Sequence, residues 1–137
     1  MIEPDQAAAL RQVAEDCVAL VASEYGRRLD WSPQSLDDLD EVCDLLLADG
    51  PLSDERMDLW WKLVGAYTGE VLIRVHGGNW TAHEAAAGAY AVSVQGITAL
   101  PFATAHRVLS GEPYKSLGSF VRVFPAIAER GRGTAAG

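Results

Sequence analysis

The chain has 137 residues, 49% hydrophobic and 22% charged, the composition of one globular domain able to bury roughly two-thirds of its unfolded surface without disulfide or metal staples. Eleven basic residues against nineteen acidic ones leave a formal charge of −8, which argues against nucleic acid and anionic membranes as partners. No stretch is long and apolar enough to span a bilayer, and Met1-Ile2-Glu3-Pro4-Asp5 carries acids where a secretion signal carries bases, so the expected location is the cytoplasm.

The first helix is expected from Pro4 and Asp5 to Gly26, with Leu10, Val13, Cys17, Val21 and Tyr25 on its buried face. The second starts at either Ser32 or Ser35 as N-cap and ends at Asp49-Gly50-Pro51. Its apolar stripe, Leu36, Leu39, Val42, Cys43, Leu46 and Leu47, leaves Asp37, Asp40, Glu41 and Asp44 pointing to water or to a partner. Cys17 and Cys43 both fall in apolar stripes and are expected as buried thiols. Ser53 caps a third helix that has Asp54 and Glu55 in its first turn, where the helix dipole favours them, and that runs to Arg74 or His76 before Gly77-Gly78. Its buried stripe is Trp60, Leu63, Val64, Tyr67, Val71 and Val75, and Gly65 and Gly69 predict a close neighbour along one strip.

Beyond Trp80 the period becomes two: residues 80–87 and 89–95 read as a hairpin, with a short third strand over 97–100. Pro101 to Ser110 is helical up to Gly111, and Leu117, Phe120, Val121 and Phe124 mark a last helix interrupted at Pro125. The order predicts an α+β domain over residues 1–130: three N-terminal helices, a small antiparallel sheet of two to three strands, and two C-terminal helices. A loose tail is expected over 131–137.

Asp30-Trp31-Ser32-x-x-Ser35-Leu36, Gly69-Glu70 and Gly77-Gly78-x-Trp80 together resemble a bacterial family of uncharacterised domains that carries D-[YW]-S-x-x-S-L, G-E and G-G-x-W motifs. The resemblance covers residues 29–112 and implies a shared fold and turn geometry but no chemistry. Read from the residues themselves, Gly77-Gly78 allows positive φ at the helix-to-strand reversal, Trp80 covers the corner, and Gly69 lets the long helix approach the sheet. Glu70 is either the i,i+4 partner of Arg74 or a buried carboxylate serving a ligand.

Catalytic motifs do not survive inspection. His83-Glu84 opens like the zinc-protease pattern H-E-x-x-H, but position 87 is Ala87, and no spacing ties His76, His83 and His106 to one another. Nucleophile elbows, P-loops and dinucleotide fingerprints are missing, so neither a cofactor nor a metal is expected.

Charge distribution is more informative. Ten of the nineteen acids lie between Asp30 and Asp58, a stretch with one base, Arg56, whereas the C-terminal part is mildly basic. Trp60-Trp61 cannot both face one core, because consecutive helical positions diverge by about 100°, so with Trp60 buried Trp61 lies at the margin or outside, either packed under the first helix or exposed as an anchor. The expectation is a non-enzymatic acidic module that binds a basic partner protein through Asp37, Asp40, Glu41, Asp44, Asp54, Asp58 and an exposed Trp61. The alternative is a small-molecule-binding domain or small enzyme with its pocket between the third helix and the sheet, around Tyr67, Glu70, His83 and Tyr90. Either is compatible with a homodimer.

Overall fold

In the computed structural model, which describes residues 2–83 and 90–123, serine side chains start three of the helices. The hydroxyl of Ser32 accepts the N–H of Ser35 (3.1 Å) at the start of α2 (Pro33–Leu47). Ser53 accepts that of Arg56 (3.2 Å) for α3 (Asp54–His76), and Ser116 that of Ser119 (3.0 Å) for α5 (Leu117–Arg122). Of the two alternatives for the second helix, Ser32 is the cap. Helix α1 (Pro4–Tyr25) ends at Gly26, whose left-handed backbone (φ 64°) returns its N–H to Ala22 (3.1 Å), and α4 (Pro101–Leu109) starts on a proline.

The strands β1 (Asn79–Ala82), β2 (Tyr90–Val94) and β3 (Ile97–Ala99) form one antiparallel sheet in that order, with Trp80 opposite Val92 and Val92 opposite Ala99. Gln95 and Gly96 both take positive φ (52° and 81°), the pairing that closes a two-residue hairpin. The fold is therefore α+β, with three helices, then the sheet, then two helices. Strand β1 starts one residue earlier than expected, at Asn79, and ends at Ala82, while 84–87 of the expected span to 87 lie outside the described residues. Residues 84–89, the expected end of the last helix at Phe124-Pro125 and the 131–137 tail lie outside the described residues. No helix among the described residues is long and apolar enough to cross a membrane.

Helix α3 is the centre of the core. Every residue from 63 to 72 is buried, because α1 packs on one side, α4 on another, and β2 also lies against it. That all-round burial exceeds the single stripe read from the spacing, while Val75, expected in the stripe, is 41% exposed. The two glycines explain how the neighbours come so near: a Cβ on Gly65 would stand 2.3 Å from the Phe102 ring, and one on Gly69 would stand 2.1 Å from the Trp80 indole. Phe102 and Trp80 are themselves in ring contact, with centroids 5.7 Å apart, so α4 and β1 meet over the glycine strip.

Candidate functional site

The acids of α2 are largely engaged within the molecule. Arg122 grips Asp37 with two bonds (2.9 and 2.7 Å), holding that carboxyl below its usual range. Asp40 accepts the N–H groups of Leu117 (2.8 Å) and Gly118 (3.1 Å), so it occupies the open end of α5. Burial pushes the Asp40 carboxyl up, outweighing the two N–H bonds that lower it. The expectation that Asp40 faces water or a partner is corrected: α5 covers that part of the α2 polar face. Glu41 and Asp38 share Arg27, whose guanidinium lies against Glu41 and 3.5 Å from Asp38, whereas Asp44 is exposed. Asp54 is exposed in the first turn of α3, and Asp58 pairs with Lys62 one turn on (3.3 Å).

Trp61 is half-buried against α1, the packed one of the two readings, and is not an exposed anchor. Its ring meets Phe102 edge-on at 5.6 Å and, with Leu10, Val13, Lys62 and Tyr90, lines a cavity of about 220 Å³. The other expected pocket residues are not gathered in one hollow. The Tyr67 hydroxyl accepts the N–H of Trp31 (2.9 Å) and lies 2.6 Å from Ser35 Oγ. Because Ser35 gives its own hydrogen to the Ser32 carbonyl (2.6 Å), Tyr67 is the donor to Ser35. Glu70, 5% exposed, accepts the Trp80 indole N–H on Oε2 (2.8 Å), and the Trp80 ring packs onto Gly69 between α3 and the sheet, so Glu70 borders a separate hollow with Arg11 and Arg74 that includes none of Tyr67, His83 and Tyr90. Tyr90 belongs to the Trp61 cavity, and His83 sits just past the end of β1.

These contacts account for the three sequence motifs. Asp30 Oδ1 accepts both the backbone N–H (3.2 Å) and the hydroxyl (2.5 Å) of Ser32. Ser32 caps α2, Ser35 and Tyr67 tie that cap to α3, and Gly69, Glu70 and Trp80 lock α3 to β1. Arg74 connects the two halves: its guanidinium lies 3.9 Å over the Trp31 ring and 4.0 Å from Glu70 Oε1. Arg11 of α1 approaches the same oxygen at 3.7 Å. The i,i+4 pair read from the spacing is present, but Glu70 has two further partners from α1 and β1.

His76 donates its Nε2–H to the Val121 carbonyl (3.0 Å) and His106 is exposed on α4; among the described residues no group of three His, Cys, Asp or Glu side chains could hold a metal. Cys17 and Cys43 are buried free thiols. Burial pushes Cys17 up to about 12 and Cys43 higher still, which removes them from thiolate chemistry near neutral pH.

What the acidic region leaves open is a groove between α1 and α3. Two adjoining hollows of about 530 and 340 Å³ share Asp16, Leu59 and Leu63. Leu20 and Val13 continue the apolar floor along α1, Leu59 stands 51% exposed in it, and Glu55 and Asp58 join Asp16 on the rim, with Lys62 the one cation among the described residues that line it. Spacing assigned α1 and α3 one buried face each, so Asp16, Leu20 and Leu59 were missed. Leu59, apolar and off the α3 stripe, directly after Asp58 and one turn after Glu55, was the available signal. No family model, curated protein or solved structure matches this chain, so the site rests on its own geometry.

Proposed function

We propose that this protein is a non-enzymatic binding module that receives a basic amphipathic helix of a partner protein in the α1–α3 groove. The observation that carries the reading is Leu59, a large apolar side chain 51% exposed between Asp16, Glu55 and Asp58. An apolar floor with an anionic rim complements a helix that has leucine-like residues on one face and lysine or arginine beside them. The rim acids steer such a partner and make the complex sensitive to salt. Of the expected partner surface, Asp58 lines this groove, while Asp54 is exposed one turn before it in α3. Asp37, Asp40 and Glu41 hold α5 and Arg27 instead.

The test is affinity capture at low salt from cells that produce the protein, using the native chain, Leu59→Glu and Asp44→Asn side by side. A stoichiometric basic partner held by the native chain and by Asp44→Asn but lost by Leu59→Glu supports the reading. Failure to recover such a partner, or one that Leu59→Glu retains equally, refutes it.

A further inference from the structure

A second hollow lies on the far half of α3, lined by Ala7 and Arg11 of α1, Glu70, Ile73 and Arg74 of α3, and Gly78, Asn79 and Trp80 at the start of β1. Its volume, about 430 Å³, is that of a small-molecule site. Two guanidiniums converge on it without being consumed by it. Arg11 faces Glu70 through Nε at 3.7 Å and Arg74 through one terminal nitrogen at 4.0 Å, both beyond hydrogen-bond reach. Among the described residues neither arginine donates a hydrogen bond to a side chain, so the remaining N–H forks are available to an acceptor.

Arg74 is also held in place. Trp31, which lies under its guanidinium at 3.9 Å, adopts positive φ (69°), a left-handed conformation that bulky side chains disfavour. That strain is fixed by the Tyr67 hydroxyl on the Trp31 N–H and has one evident result, a located cation at the mouth of the hollow. Glu70 cancels one of the two positive charges, and its other oxygen is occupied by the Trp80 indole. The local balance is one net positive charge beside apolar surface from Ala7, Ile73 and Trp80.

We propose that this hollow binds a small organic monocarboxylate, with the carboxylate on the Arg11 and Arg74 forks and an apolar body against Ile73 and Trp80. One net charge suits a monoanion better than a phosphate dianion, and a guanidinium fork matches the two oxygens of a carboxylate. The site is separate from the α1–α3 groove around Leu59, and it stands or falls independently of the partner-binding reading.

The experiment is a titration of the 15N-labelled full chain with sodium benzoate, following the Trp80 indole N–H and the Asn79 amide by NMR against matched sodium chloride. Saturable shifts at both positions are expected, weakened about tenfold or more by Arg11→Gln and by Arg74→Lys, which keeps the charge and loses the fork. Arg11 is more than half exposed, so Arg11→Gln should retain the native amide spectrum. Absence of a saturable shift, an equal shift with sodium chloride, equal affinity for inorganic phosphate, or unchanged benzoate binding in both variants overturns the proposal.

Discussion

Replacing Gly69 by alanine sets two opposed effects of known size against each other. In an exposed helix the change stabilises by about 1 kcal/mol. Here the added methyl would stand 2.1 Å from Trp80 Cη2 and 2.5 Å from Cζ2. That is about 1.4 Å short of a relaxed carbon–carbon contact, so the indole must move. Trp80 is 4% exposed and wedged against Phe102, and overpacking of this kind costs about 1–3 kcal/mol. Moving the ring also breaks its 2.8 Å bond to Glu70 and leaves a buried carboxylate oxygen unpaired, about 1–3 kcal/mol more. The balance is a net loss of about 3 kcal/mol, or about 10 °C in melting temperature for a domain of this size. Urea and thermal unfolding followed by circular dichroism measure it. Trp80→Phe withdraws the edge that the methyl strikes, so the double variant should be more stable than the sum of the single effects predicts, by about 1 kcal/mol or more. Gly69→Ala as stable as the native chain, or strict additivity with Trp80→Phe, would refute the reasoning.

Asp40→Ala strips two N–H groups at the start of α5 of their acceptor and is expected to cost about 2 kcal/mol in urea unfolding; a change below about 0.5 kcal/mol would mean α5 does not depend on that carboxylate. Because burial raises Asp40 above its unfolded value of 3.8, the native state holds its proton longer than the unfolded chain does. Asp40 therefore contributes stability that falls as pH rises from 3.8 through its native pKa. Asp40→Asn lacks that term, so the stability difference between native chain and variant should shift in the variant's favour across the window, as paired urea melts would show. Tyr67→Phe removes the hydroxyl shared by Trp31 and Ser35 and is expected to lose about 1–3 kcal/mol, with the Trp31 indole environment altered in near-ultraviolet circular dichroism. Leu59→Glu, being on an exposed position, should change stability by no more than about 0.5 kcal/mol, which a thermal melt checks.

Local chemistry carried the element order well, because the signals for helix ends lie within a few residues of where they act. Ser32, Ser53, Gly26 and Gly77 each act on their own turn, and the sequence alternation of Tyr90, Val92 and Val94 with Ala91 and Ser93 marks β2, although Ala91 is buried as well. The role of Asp40 was not legible, since the backbone it caps is 77 residues away and helical spacing describes only one covered face of α2. That Trp61 lies at the core margin followed from Trp60 beside it, but its partners did not: α3 is enclosed by α1, α4 and β2, and a helix buried on most sides does not obey a single stripe. Glu70 and Arg74 could be paired from their spacing, but Arg11 and Trp31 reach them only through the tertiary fold. The acidic excess was plain in the composition. Its division between acids that hold α5 and Arg27 and acids that rim a groove required the packing of five helices.

The most direct measurement of the groove's role is an NMR titration of the labelled chain with a helical model peptide that has leucines on one face and lysines on the other. Shifts that cluster at Val13, Asp16, Leu20, Leu59 and Leu63, weaken with salt and vanish in Leu59→Glu are the predicted result. Binding that maps to Asp44 and the outer face of α2, or that Leu59→Glu leaves intact, would contradict it.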